Sequence, residues 1–97
     1  MTLRAITRGV SSAIANCELT HQARIPIDFA RAMAQHEEYE RALEGLGCAV
    51  QRIEAASDLP DCVFIEDAAV VLDEVAILMR PGAESRRGEV PAIAKAL

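Results

Sequence analysis

Between Asp61 and Glu89 the sequence reads DCVFIEDAAVVLDEVAILMRPGAESRRGE, an apolar run rich in β-forming residues enclosed by two clusters of opposite charge. Asp61, Glu66 and Asp67 precede the run; Arg80, Arg86 and Arg87 follow it. A small zwitterionic ligand would find a partner for each of its ends in such a stretch. Inside the run, Ala68 to Leu72 and Val75 to Met79 predict two strands joined by a tight turn at Asp73-Glu74. Neither strand has a polar face, so both are expected inside a sheet covered on two sides, or beside another chain. Cys62 to Ile65 reads as a further short strand. Arg80-Pro81-Gly82 breaks the pattern, and Glu84 to Leu97 predicts a helix with Val90, Ile93, Ala94 and Leu97 apolar, Pro91 forcing its start or a kink.

Upstream, Leu3 to Arg8 alternates apolar and polar residues and predicts a first strand, ended by Gly9. Ser11 to Arg24 has no sustained period and reads as a loop with one helical turn. The reading preferred from its composition is a surface connection; loops of this length usually do something, which leaves a mobile segment over a pocket as the alternative. From Pro26 to Leu46, Phe29, Met33, His36, Leu43 and Leu46 recur at helical spacing. Pro26 suits the first turn, Asp28 the positive end of the helix dipole, and Gly47 the left-handed cap. His36 and Tyr39 are read as packed or partly exposed helix residues, with a functional role as the alternative, and Glu37, Glu38, Glu40 and Glu44 as a solvated face. Cys48 to Ile53 is a strand and Glu54 to Pro60 a turn. The expected class is α/β, with a mixed sheet packed by amphipathic helices.

The chain has 97 residues, of which 52% are hydrophobic, so residues 1–97 form a single expected domain. Folding such a chain buries roughly 65% of its unfolded surface. With only Phe29, Phe64 and Tyr39 as aromatics, the core is expected to be aliphatic. A net charge of −5 argues against a sequence-independent grip on nucleic acid, which needs a basic face. The apolar run from Ala68 to Met79 is interrupted by Asp73 and Glu74 and is too short for a membrane span. No convincing signal peptide opens the sequence, which points to a cytoplasmic protein. Cys17, Cys48 and Cys62 lack paired ligand spacing and are expected as reduced, mostly buried thiols, with His21 and His36 too far apart to suggest a metal. No metal or cofactor is expected.

The acidic cluster carries the chemistry. A straight strand from Asp61 to Asp67 would be about 20 Å long and would put Glu66 on the opposite face from the other two. If the three share a ligand, the chain must bend there. Glu66-Asp67, bounded by Phe64-Ile65 and Ala68-Ala69, would be costly to bury without a cation, and a guanidinium satisfies two carboxylates at once. Arg86 suits the carboxylate of an amino acid; Arg80 and Arg87 read as surface charges.

The runs ITRGVS (Ile6 to Ser11), CELTH (Cys17 to His21), AQHEEYERAL (Ala34 to Leu43), DLPDCVFIED (Asp58 to Asp67) and RPGAESRRGE (Arg80 to Glu89) resemble the N-terminal part of dimethylarginine dimethylaminohydrolases. The resemblance covers essentially the whole chain, with Cys62 where relatives commonly have Ser and Ile65 where they commonly have Val. It implies the pentein fold, a pseudo-fivefold propeller of strand-and-helix units shared with arginine deiminases and amidinotransferases. This chain would supply roughly one strand-helix-strand-hairpin unit and the start of the next. The implied reaction is hydrolysis of methylated arginines to citrulline and a methylamine.

Carried over by position, the resemblance implies that Glu66 and Asp67 take the substrate guanidinium, Asp61 the α-amino group and Arg86 the α-carboxylate. Leu19 would belong to a flexible loop closing over the substrate. The family's nucleophilic cysteine and general acid/base histidine match none of Cys17, Cys48, Cys62, His21 or His36. The expectation is therefore a chain that holds the substrate-binding half of a site and is inactive alone. Its partners would be a small arginine analogue and either the remainder of the same enzyme or copies of itself. The alternatives are a non-catalytic oligomeric module and another arginine-modifying pentein. Leu97 falls inside an apparently continuing helix, which suggests an incomplete unit.

Overall fold

A computed structural model describes Leu3 to Leu97. Strand β1 (Arg4–Arg8) and strand β2 (Ala49–Ile53) pair in parallel, with Arg4 opposite Ala49 and Arg8 opposite Ile53. Parallel neighbours need a crossover connection, and helix α1 (Phe29–Gly45) supplies it. The expected strand, helix and strand are thus present as one unit.

Both ends of α1 are dictated locally. Asp28 caps the start, its carboxylate accepting the N–H of Arg31 at 3.1 Å. Pro26 lies before this cap and not in the first turn, so the helix begins later than its sequence suggested. At the other end Gly47 adopts φ +94°. Its N–H reaches Glu44 O at 2.9 Å and that of Cys48 reaches Leu43 O at 3.1 Å. These are the two reversed bonds of a Schellman ending, which requires a residue that tolerates the left-handed region.

The face that α1 turns inward differs from the expected apolar stripe. Phe29, Ala32, His36 and Leu43 are half-buried and Glu40 is buried, whereas Met33 is 40% and Leu46 82% exposed. Glu40 therefore does not belong to a solvated acidic face. Its carboxylate accepts from Thr7 of β1 and from both Nε and Nη2 of Arg52 of β2, and Thr7 and Arg52 are themselves register partners. Burial alone would raise the Glu40 carboxyl, but the bonds from Thr7 and Arg52 outweigh it and hold it below the ordinary carboxylate range.

The segment from Cys62 to Ile65 is not a strand. Cys62 N–H bonds to Leu59 O and Phe64 N–H to Asp61 O, and an inverse γ-turn centred on Phe64 (φ −87°, ψ 71°) leads into a 3-10 turn at Ile65–Asp67. Strands β3 (Ala69–Val71) and β4 (Ala76–Leu78) then form the expected antiparallel hairpin. The two strand pairs are separate small sheets, one parallel and one antiparallel, and not one mixed sheet. A 3-10 segment (Glu84–Glu89) precedes helix α2 (Val90–Ala96), with Pro91 in its first turn as its missing N–H allows.

The buried set is small and unusually polar. Val10, Ile14, Cys17, Cys62, Ala68 and Ile93 are buried together with Thr7, Arg8, Ser11, Glu40, Asp61 and Glu89. An extensive aliphatic core is absent from the described residues, because much of the aliphatic content stays on the hairpin. Val70, Val71, Leu72, Val75, Ile77, Leu78 and Met79 are all exposed. All three cysteines are free.

Candidate functional site

The bend that a shared site would require is present. Between Asp61 and Asp67 the chain makes two consecutive turns, so the carboxylates are displayed from a compact knot and not along a strand. Asp61 is buried, and its two oxygens accept the backbone N–H of Glu18 at 3.3 and 3.1 Å. Beside it, Cys62 is fully buried, its thiol facing Gly9 O at 3.5 Å. This buried anchor fixes the start of the knot against the end of β1.

Arg86 gathers most of the remaining groups. Its Nε and Nη2 face the two carboxylate oxygens of Glu89 at 3.1 and 3.0 Å. Nη1 donates to Asp67 Oδ2 at 3.0 Å, and Nη2 also donates to Phe64 O at 2.9 Å, with Asp61 O at 3.5 Å. The bonds to Glu89 raise the guanidinium's pKa, against the cost of burial and with help from Asp67, so the group stays charged throughout the accessible pH range. A guanidinium beside Asp67 was expected on charge grounds; here the chain's own Arg86 supplies it.

Of the five residues singled out from the sequence, Asp67 and Arg86 are joined directly, and Asp61 reaches Arg86 only through its backbone carbonyl at 3.5 Å. Leu19 is joined through its neighbour Glu18, which also accepts from Ser85 Oγ at 2.6 Å, and is 40% exposed. The loop carrying it contains the expected single turn, Ile14–Asn16. It is held by Arg24, which donates to Cys17 O at 2.7 Å and to Ala15 O. Glu66 stands apart. It enters no ion pair among the described residues and borders a cleft of about 390 Å³ whose walls include Ile6, His36, Tyr39 and Phe64. A depression of about 410 Å³ along Glu37, Glu44 and Cys48 shares none of the five residues.

Two residues of this cluster escaped the sequence reading. Glu89 is 3% exposed and grips Arg86 from three positions away, a helical spacing that was visible in RPGAESRRGE. Glu18, in CELTH, supplies the N–H that Asp61 needs; nothing in its side chain announces a backbone role. Asp67 and Glu89 share the Arg86 guanidinium, Asp61 turns its carboxylate to the Glu18 amide, and Glu66 is exposed without an ion pair among the described residues, so the accessible Glu66 and Asp67 oxygens favour a cationic group. Among the described residues no cluster of His, Cys, Asp and Glu could hold a metal ion, and no helix is long and apolar enough to cross a membrane.

No family model matches the chain. Individual proteins do. N(G),N(G)-dimethylarginine dimethylaminohydrolase of Streptomyces coelicolor is 39% identical over 94 residues, covering 97% of this chain and 36% of its own length. A solved variant of dimethylarginine dimethylaminohydrolase in adduct with S-methyl-L-thiocitrulline superposes with a TM-score of 0.91 at 34% identity, over 99% of this chain and 37% of its own. A cysteine-to-serine variant of the Pseudomonas aeruginosa enzyme, complexed with citrulline, superposes with a TM-score of 0.89 at 33% identity, over 99% of this chain and 38% of its own. The chain thus spans little more than a third of the length of each of these proteins.

Proposed function

From the premise that the chain is a homologue of the dimethylarginine dimethylaminohydrolases, we propose that it forms the substrate-selecting part of an enzyme that hydrolyses methylated arginines to citrulline and a methylamine. In this reading it contributes part of a pentein propeller. Glu66 and the free Oδ1 of Asp67 take the substrate guanidinium, Asp61 the α-amino group and Arg86 the α-carboxylate. The loop around Leu19 closes over the bound molecule.

The observation that carries the reading is the unequal treatment of the two adjacent carboxylates. Asp67 is paired with Arg86 through Oδ2, with no partner for Oδ1 among the described residues, and Glu66 has no ion-pair partner among them; both residues are exposed, so the burial expected from their apolar sequence neighbours is absent. Adjacent accessible carboxylates with oxygens still open can take a cation from outside, and a planar guanidinium is the cation that bridges two of them. Asp61 is tethered through Glu18 to the Leu19 loop, so engaging the α-amino group is coupled to the position of that loop.

The chemical step is assigned to residues outside these 97. Cys17 and Cys62 are buried, and Cys48 lies between α1 and β2, in a depression lined by neither Asp67 nor Arg86. In the proposed reaction a thiolate adds to the guanidinium carbon, the methylamine departs with a proton from a general acid, and water then releases citrulline and restores the thiol. The test is a citrulline-release assay on asymmetric dimethylarginine. The 97-residue chain alone is expected to release none while the intact protein does; turnover by the chain alone would overturn the assignment.

A further inference from the structure

We propose that Glu89 is a positioning residue for substrate binding: it fixes the plane of the Arg86 guanidinium so that one N–H on Nη1 is left for the α-carboxylate. The inference rests on the role given to Arg86 above. A guanidinium carries five N–H groups. Here Nε gives its one to Glu89 Oε2, Nη2 gives its two to Glu89 Oε1 and Phe64 O, and Nη1 gives one to Asp67. Four are committed among the described residues, and the fifth is on Nη1.

Pairing both oxygens of one carboxylate with Nε and Nη2 sets an orientation as well as a charge. Glu89 can impose that orientation because it is itself immobilised. It is 3% exposed, and its backbone carbonyl accepts Arg8 Nη1 at 3.1 Å. Arg8 is buried in turn and donates through Nε to Glu54 O at 3.1 Å. A continuous series therefore runs from the end of β1 through Arg8 and Glu89 to Arg86. Without the Glu89 carboxylate, the Nε edge would be open and the guanidinium free to turn that edge toward Asp67, withdrawing the Nη1 donor from the ligand.

A Glu89 that only supported the fold would, when lost, weaken all ligands alike, and one that only neutralised Arg86 would, when lost, leave the carboxylate ligand bound no more weakly. A positioning Glu89 matters only to ligands that carry the α-carboxylate. The test compares dissociation constants of the intact protein for L-citrulline and for N-carbamoylputrescine, which is citrulline without that carboxylate. In Glu89→Gln, citrulline binding is expected to weaken about tenfold or more, while carbamoylputrescine binding changes less than about twofold. Equal weakening of both ligands, or unchanged citrulline binding, would overturn the inference. If Glu89→Gln does not fold, Glu89→Asp, which keeps the charge but is too short to span Nε and Nη2, is expected to show the same selective loss and is judged by the same outcomes. A wild-type protein that fails to prefer citrulline would remove the role of Arg86 and this inference with it. If the preference exists and is lost in Arg86→Gln but kept in Glu89→Gln, only the positioning role falls.

Discussion

Both carboxylate oxygens of Asp61 lie within 3.3 Å of the backbone nitrogen of Glu18, so a buried side chain from the turn region holds the loop that carries Leu19. An N–H held by a charged acceptor exchanges slowly, and removing the acceptor leaves a partly buried donor unsatisfied. Asp61→Ala is expected to cost about 1–3 kcal/mol of stability. It should also accelerate hydrogen exchange at the Glu18 amide. Unchanged exchange there would show that the loop is held by other contacts, Arg24 among them.

Glu40 predicts a pH dependence. Its folded pKa is depressed, so the stability it contributes is present above the ordinary carboxylate value and is lost as pH falls through the lower, folded value. Denaturation at neutral pH should show Glu40→Gln less stable than wild type by about 1–3 kcal/mol. That gap should shrink steadily in acid, below the ordinary Glu pKa. A gap independent of pH would mean that the carboxylate's charge does not join α1 to the two strands.

Gly47 is the one described residue with positive φ, and its conformation is what lets α1 end and β2 begin immediately. Gly47→Ala forces a Cβ into the left-handed region and is expected to destabilise by about 1–2 kcal/mol, with no effect on ligand affinity. Chemical denaturation and a citrulline titration together check both halves of that statement.

The hairpin predicts association. Val70, Val71, Ile77 and Leu78 lie between 46% and 59% exposed on two paired strands, an apolar surface of the kind that recruits a partner. The isolated 97-residue chain is expected to self-associate in sedimentation equilibrium, and Val71→Lys with Leu78→Lys to shift it toward monomer. A wild-type chain that sediments as a monomer contradicts this.

The elements with local signals were legible in the sequence. The two strands around α1, the glycine cap at Gly47, the hairpin turn at Asp73-Glu74 and the proline at the start of α2 each follow from local chemistry, and Asp28, expected inside the first turn at the positive end of the dipole, is instead the residue that caps it. The misread features are not announced by residue type. Glu40 looks solvated by type, and only Thr7 and Arg52, remote in sequence, make it a buried residue. Cys62 to Ile65 has strand composition, but the bonds Asp61 and Leu59 accept fold it into turns. At the site, the sequence pointed to a guanidinium beside Asp67 without revealing that Arg86 already provides one, and it passed over Glu89 because a buried glutamate has no signature apart from its partner.

If Glu66 and Asp67 select the substrate's guanidinium, removing both charges must lower turnover of the methylated arginine. The direct measurement is kcat/KM for asymmetric dimethylarginine in the intact protein and in the Glu66→Gln, Asp67→Asn double variant, with folding verified by circular dichroism. Two charge-assisted hydrogen bonds lost from one group predict a fall of roughly 100-fold or more in the folded variant. A wild-type protein that releases no citrulline, or a double variant that retains its kcat/KM, would contradict the claim.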